Sequence, residues 1–367
     1  SLEYLSEQFQ ESLSVRELQV FSHIEHCAKV LQPQVDVQPR VAGGFVRDRI
    51  IQVLSSPSSS NDFVPFHSMH TNSVDQPQSQ QVDIDIALEG VSGADFCRLV
   101  NEHGLLQRFH VVQSNPAQSK HLETAVVVLH GLSVDLVNLR SETYADQRIP
   151  ETMNHSDAQT DAIRRDLSIN ALFYNIQTRL IEDYCGTGVN DIVNGVIRTP
   201  LPSQTLETFL DDPLRVIRAI RFACTLQRPQ TNDGKKQQAF TIDASILDVL
   251  HNEQAKIFQF LRDKVSKPRL SSELLKCARS PNPSVAFDLF ASSSTDPRYH
   301  LYKHFFPSTL QFEDVNRALE VVRHVESHQI THECLTLAAF LSCSNIGRHI
   351  EALVKSSTKL PLRLSVR

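Results

Sequence analysis

The spacing of apolar residues changes character near residue 207: before it, short extended runs alternate with helical segments, and after it helical spacing continues almost without a break. Leu18, Phe21, Ile24, Ala28 and Leu31 follow a helical period over residues 14–31, and Ser14 with Glu17 matches a capping box at its start. Pro33 and Pro39 bracket a link to a strand that ends at Gly43-Gly44, from which a helix runs to about Leu54. Val82-Asp-Ile-Asp-Ile-Ala-Leu88 reads as a strand with Ile84 and Ile86 turned inward. A short helix from Gly93 to His103 and a strand around Phe109 to Val112 follow. Next comes a hairpin of Thr124–Leu129 and Leu132–Asn138 joined by His130-Gly131. Beyond Glu207, helices are predicted at Pro213–Leu226, Ile246–Leu250, Ile257–Leu261, Ser272–Cys277, Ala286–Phe290 and Val315–His324, with a polar loop at Gln227–Gln238.

This pattern predicts an α+β protein: a head with a small mixed sheet, followed by an all-α remainder. The expected divisions are a head over 14–202, a helical neck over 203–275 and a helical body over 276–367. Residues 55–81 are poor in apolar groups and rich in Ser, Gln and Pro, the composition of a disordered insertion. The insertion falls at the far end of the helix that leaves Gly44, ~15 Å from the glycine turn. Because the chain opens on Ser1 without Met and stops without an obvious terminus, the body is expected to be incomplete, and the loss of a targeting segment stays open.

Composition narrows the function. Seven scattered cysteines without a CxxC pair suggest reduced thiols inside the cell, and the sixteen mostly isolated histidines argue against zinc. A net charge of −6 confines any nucleic-acid contact to a local basic track, for which Arg262, Lys264, Lys267 and Arg269 are candidates, a solvated basic face being the competing reading. No apolar run reaches the ~18 residues of a membrane span.

The candidate chemistry begins at Gly43-Gly44. A strand that turns through two glycines into a helix presents backbone N–H groups to a phosphate, with Arg47 one turn further on. Asp83 and Asp85, two apart on a strand, share a face at ~6.5–7 Å and are placed to hold two divalent cations. A phosphohydrolase with Asp83 as nucleophile, or a pair of solvated acids, fits the two residues alone. Asp135 on the hairpin is a candidate third ligand, and an ordinary outward-facing acid explains it equally well. For Arg47 a pair with Asp48 or another surface acid is the competing reading, and Asp48 reads as structural rather than catalytic.

The order of the motifs is more specific than any one of them. Gly-Gly-Phe-Val-Arg-Asp48, Asp83-Ile-Asp85, Arg164-Arg-Asp-Leu-Ser-Ile-Asn170, Asp183-Tyr-Cys-Gly-Thr-Gly188 with Asp191, and Asp211-Asp-Pro-Leu-Arg215 follow one another. Over roughly residues 36–270 the chain resembles the class II CCA-adding tRNA nucleotidyltransferases of the fungal, plant and protist type. The stretches at 140–144, 148–150 and 194–200 share the likeness.

The resemblance implies a metal and triphosphate site at Asp83, Asp85, Gly43, Gly44 and Arg47, with Asp135 nearby. It further implies ribose recognition by Asp166 and Asn170 with Arg165, a hinge at Gly186 and Gly188, and base recognition by Asp212, Arg215 and Arg218. Two Mg2+ ions, CTP, ATP and tRNA follow as cofactors and partners. The location is expected to be intracellular, in mitochondria, cytoplasm or nucleus. Asp211 stands where the family usually has Glu. Arg164, Arg165 and Asp166 are expected on a helix whose apolar face is Ile163, Leu167 and Ala171.

Asp212 before Pro213 also fits a helix cap. Cytosine and adenine nevertheless both present an amino donor beside a ring-nitrogen acceptor, whereas uracil and guanine reverse that order. An Asp acceptor beside an Arg fork therefore accepts C and A and rejects U and G. Three rivals remain: a poly(A) polymerase, a partial CC- or A-adding enzyme, and a non-catalytic tRNA-binding protein that keeps the fold.

Overall fold

The protein is described here by a computed structural model covering residues 1–55, 83–106, 109–112, 124–139, 157–229 and 238–292. The expected insertion at 55–81, the helix at 315–324 and the stretches 140–144 and 148–150 therefore lie outside the described residues, save Ser55 itself. The chain divides into two compact units, Ser1–Pro202 with Arg228–Gln238, and Ser203–Gln227 with Ala239–Arg367. A helical span long and apolar enough to cross a membrane is absent among the described residues.

The first unit is built on seven strands: β1 (Gln38–Ala42), β2 (Ile84–Glu89), β3 (Phe109–Val112), β4 (Thr124–Leu129), β5 (Leu132–Asn138), β6 (Phe173–Asn175) and β7 (Ile181–Glu182). Their order is β3-β4-β5-β2-β1-β6-β7. β2 and β5 run parallel, and every other neighbouring pair is antiparallel. The mixed sheet is thus the one the apolar pattern predicts, with β6 and β7 added at an edge. Those two strands, three and two residues long, are too short to show a period. At the β4–β5 turn, His130 (φ 50°) and Gly131 (φ 81°) both adopt the left-handed conformation that a tight two-residue hairpin requires.

Helices α1 (Leu2–Glu11), α2 (Val15–Leu31), α3 (Gly44–Ser55), α4 (Gly93–Glu102), α5 (Ala158–Ile163) and α6 (Gly188–Asn194) complete the unit. In α2 the capping box forms as expected: Ser14 Oγ accepts from Glu17 N, and Glu17 Oε2 accepts from Ser14 N. Its buried face is shifted, however. Leu18 is 39% exposed, and Val20 and Cys27 are buried with Phe21, Ile24, Ala28 and Leu31. Helix α1 is not evident from the sequence because it buries only Leu5, Ser6 and Phe9. Phe9 nonetheless stacks on Tyr174 at 4.5 Å. Arg49 of α3 donates to Ser12 O and Glu17 Oε1, each at 2.6 Å, and so joins the α1–α2 corner to the helix that leaves the glycine turn.

One expected helix is absent. α5 ends at Ile163 with Arg164 as its C-cap, and Leu167 is extended (φ −137°, ψ 147°) before a 3-10 turn at Ser168–Asn170. Asp166 Oδ1 accepts from Leu167 N at 2.9 Å, and Ser168 N donates to Arg198 O at 2.8 Å. These bonds replace the i→i−4 bonds a continuing helix would need. Arg164, Arg165 and Asp166 accordingly lie on the turn between α5 and the 3-10 segment.

The described part of the second unit is almost entirely helical: α7 (Thr205–Asp211), α8 (Leu214–Thr225), α9 (Ala244–Asn252), α10 (Gln254–Lys264), α11 (Lys267–Ala278) and α12 (Pro283–Ser292). α8 is packed on by both α11 and α12. Glu273 of α11 is buried and accepts from Arg221 of α8 and from Lys276.

Candidate active site

Strand register brings the separated motifs of the first unit to one end of the sheet. β1 pairs antiparallel with β2, Val41 opposite Ile86, and with β6, Ala42 opposite Phe173. The Gly43 end of β1 therefore adjoins the start of β2, where Asp83 and Asp85 lie, and the start of β6, which follows Asn170.

Asp83 precedes β2 and Asp85 lies within it; both are exposed, while Ile84 and Ile86 are buried as expected. Asp85 sits opposite Asp135 in the parallel β2/β5 pair, so the two carboxylates share a face of the sheet. Burial, and then the negative charge of Asp83, hold the Asp135 carboxyl above its usual range. Crowded carboxylates on one face are a hard-oxygen donor set suited to Mg2+. Among the described residues no group of three or more His, Cys, Asp or Glu is gathered closely enough to hold a metal ion. An ion at these aspartates would need further ligands from water or a substrate, as Mg2+ ordinarily takes.

Gly43 turns β1 into α3 at φ +64°. Its N–H already donates to Leu172 O at 3.3 Å, which narrows the expected phosphate cradle. The donors at the helix start are then those of Gly44, Phe45 and Val46, which precede the first intrahelical bond, Arg47 N to Gly43 O at 3.1 Å. Glycine is favoured here by the positive φ; a Cβ would lie 2.9 Å from Arg165 Nη1, the tip of a flexible side chain that can shift.

Arg47 is buried and engaged within the protein. Nε donates to Asp48 Oδ1 at 2.8 Å, the competing pairing for Arg47, and Nη1 donates to Asn170 Oδ1. Asn170 Nδ2 donates in turn to Asp166 Oδ1 at 3.0 Å. Arg165 donates from Nε to Asp161 Oδ2 (2.9 Å) and from Nη1 to Asn170 O (3.0 Å), and lies over the Phe173 ring at 4.7 Å. The residues assigned by resemblance to phosphate and to ribose, 123 positions apart at Arg47 and Asn170, thus form one hydrogen-bonded network.

Gly186 and Gly188 differ in their surroundings. Gly186 has φ +69° and nothing within 4 Å of the place a Cβ would occupy. At Gly188 a Cβ would lie 2.7 Å from Ser168 O, so this glycine permits close packing of α6 on the 3-10 turn. Buried Asp191 strengthens that contact by accepting from Ser168 Oγ at 2.6 Å.

In the second unit, Asp212 is the extended residue (φ −134°, ψ 99°) between α7 and α8. The capping reading is met one residue later than expected: Pro213 is the N-cap, and Asp212 Oδ1 accepts from Leu214 N at 3.2 Å. Asp212 Oδ2 accepts from Arg269 Nη2 of α11 at 2.8 Å, a partner the sequence does not reveal. Arg215 Nη1 donates back to Thr208 O at 3.1 Å, whereas the Arg218 guanidinium lies over Phe222 at 5.5 Å. Of the basic-track candidates, Arg269 is engaged by Asp212, Lys264 Nζ donates to Leu210 O at 3.0 Å, and Arg262 pairs with Asp263 at 3.0 Å.

Residues 39–198, the span holding the glycine turn and all three sheet aspartates, match the poly A polymerase head domain. The mitochondrial CCA tRNA nucleotidyltransferase of Candida glabrata is 41% identical over 261 residues, 68% of this chain and 41% of that protein. Along these residues the chain is similar to CCA-adding tRNA nucleotidyltransferases. The mitochondrial CCA tRNA nucleotidyltransferase of Saccharomyces cerevisiae is 36% identical over 308 residues, 81% of this chain and 48% of that protein. The chain spans less than half the length of these two relatives. The fold is shared with the Thermotoga maritima CCA-adding enzyme solved with tRNA, at TM-score 0.59 and 22% identity over 97% of this chain and 69% of that one.

Proposed function

We propose that this protein builds the C-C-A 3′ end of tRNA from CTP and ATP without a nucleic-acid template, releasing pyrophosphate at each addition. The observation that carries the reading is the register of β2 and β5, which sets Asp85 opposite Asp135 beside Asp83 at the sheet end where the glycine turn begins α3. Relatives named as CCA tRNA nucleotidyltransferases, and solved CCA-adding enzymes complexed with CTP and with ATP, support the substrate assignment.

In this reading Asp83 and Asp85 hold two Mg2+ ions, with Asp135 beside them. When bound, the ions supply neutralisation of triphosphate charge and activation of the tRNA 3′-hydroxyl for attack on the α-phosphate. Gly43, Gly44 and the first turn of α3 cradle the phosphates, and Arg47 reaches them by exchanging one of its internal partners. Asp166 and Asn170, positioned with Arg165, face the ribose hydroxyl. Asp212 accepts from the exocyclic amino group of C or A while Arg215, with Arg218 behind it, donates to the ring nitrogen. Gly186 supplies backbone freedom for the change from C to A, and Gly188 the close packing that transmits it. The chain acts inside the cell, and the mitochondrial naming of the two fungal relatives favours mitochondria.

The matched head domain takes its name from poly(A) polymerases, which makes these the second reading. Incubation with tRNA lacking its 3′ end and single labelled nucleotides separates the two. Two C additions followed by one A are expected; long A tracts, or A without prior C, would overturn the proposal.

A further inference from the structure

Asp212 is not held by its own helix alone. One carboxylate oxygen receives the Leu214 N–H, and the other receives Arg269 Nη2, from a residue 57 positions downstream at the start of α11. The two contacts approach different oxygens, so together they fix both the position and the rotation of the carboxylate plane. A carboxylate oxygen accepts about two hydrogen bonds, so each oxygen keeps capacity for another donor. With side chains 37% and 33% exposed, Arg269 and Asp212 stay open to solvent, and hence to a ligand. Arg215 donates to the Thr208 carbonyl of α7, and Lys264 donates to Leu210 O of the same helix end. The α7–α8 elbow is therefore braced from outside by α10 and α11.

We propose that Arg269 is a positioning residue for base selection, fixing the Asp212 carboxylate so that its remaining acceptor capacity meets the amino group of cytosine or adenine. This rests on Asp212 and Arg215 being the base-reading pair. Discrimination against uracil and guanine requires an acceptor that cannot turn away when it meets a carbonyl. A freely rotating Asp212 would withdraw from O4 of uracil at little cost, leaving the Arg215 fork to bind either base. The single Nη2 donor of a planar guanidinium is directed more closely than the three rotatable donors of a lysine ammonium, and with the Leu214 N–H on the other oxygen it opposes that rotation.

The test measures equilibrium binding of CTP, ATP and UTP to the full chain by calorimetry, alongside melting temperature, for wild type, Arg269→Ala, Arg269→Lys and Asp212→Asn. Arg269→Ala is expected to reduce the preference for CTP over UTP by about tenfold, the scale of one hydrogen bond's orientation, mainly through tighter UTP binding. Arg269→Lys should fall between it and wild type. Should Arg269 merely support the fold, affinity for all three nucleotides would fall together with the ratio unchanged, and the proposal would be wrong. An unchanged ratio in Arg269→Ala with a collapsed ratio in Asp212→Asn would refute the role of Arg269 while leaving the base-reading pair intact. An unchanged ratio in Asp212→Asn would remove both.

Discussion

Asp85 and Asp212 are both half of a pair, but the pairs are made differently. Asp85 meets Asp135 because two parallel strands are in register, and the backbone ladder fixes their spacing whatever the side chains do. Asp212 sits where helical hydrogen bonding breaks between α7 and α8, and its orientation depends on side chains of other helices. A metal-assisted reaction common to every nucleotide gains from the rigid arrangement. A site that, in the proposed function, selects C and A over U and G gains from a carboxylate whose orientation is held by contacts from other helices. A third arrangement lies beside the first: Asp166, Asn170 and Arg47 are buried and mutually hydrogen-bonded, so substitutions there should affect stability as well as activity.

The sharpest way to break the comparison is to replace Asp83 or Asp85 with Ala. Both are exposed, so incorporation of every nucleotide should fall by about 10²–10³-fold or more, with melting temperature nearly unchanged. Activity surviving the substitution would favour a tRNA-binding protein that keeps the fold. A covalent phosphoryl group on Asp83 without strand extension would point instead to a phosphohydrolase.

Asp166→Ala should behave differently, because it removes the acceptor of buried Asn170 and disturbs the Arg47 network. A loss of about 2–4 kcal/mol in denaturant unfolding is expected, with activity falling in step. Gly188→Ala ranks next. Its methyl group would meet Ser168 O, destabilising the unit by about 1–3 kcal/mol. Gly186→Ala should cost about 1 kcal/mol, through its positive φ alone, and should slow A addition more than C addition if this residue is the hinge.

The smallest effect concerns pH. The Asp135 carboxyl is held above its usual range by burial and by Asp83, so the folded chain keeps this proton more readily than the unfolded chain. Stability from this group is therefore fully present below the ordinary carboxylate pKa and is lost as pH rises through the raised one. In metal-free buffer, Asp135→Asn should raise the melting temperature at pH 7 and raise it progressively less as pH falls towards the ordinary carboxylate pKa, while lowering activity. A lower melting temperature at pH 7 would contradict the crowding of these acids.

The sheet and its acids are legible in the sequence because strand alternation is local: Ile84 and Ile86 inward dictate Asp83 and Asp85 outward. The Ser14–Glu17 cap and the His130-Gly131 hairpin are legible for the same reason. The 3-10 turn at Ser168–Asn170 is not, because Ile163, Leu167 and Ala171 have helical spacing, and only the Asp166 and Arg198 bonds divert the chain. Arg269 illustrates a different limit. Its position on α11 reads as a basic surface, and nothing local indicates that it reaches Asp212. The Arg47–Asn170 bond is hidden likewise, since it depends on the pairing of β1 with β6.

The most direct test of the division between chemistry and selection is single-turnover addition to trimmed tRNA, with CTP and UTP compared for Asp85→Asn and Asp212→Asn. Asp85→Asn should slow both nucleotides by the same large factor and leave the CTP-to-UTP ratio unchanged, whereas Asp212→Asn should collapse the ratio with a much smaller loss of the CTP rate. An altered ratio in Asp85→Asn, or an unaltered one in Asp212→Asn, would contradict the account.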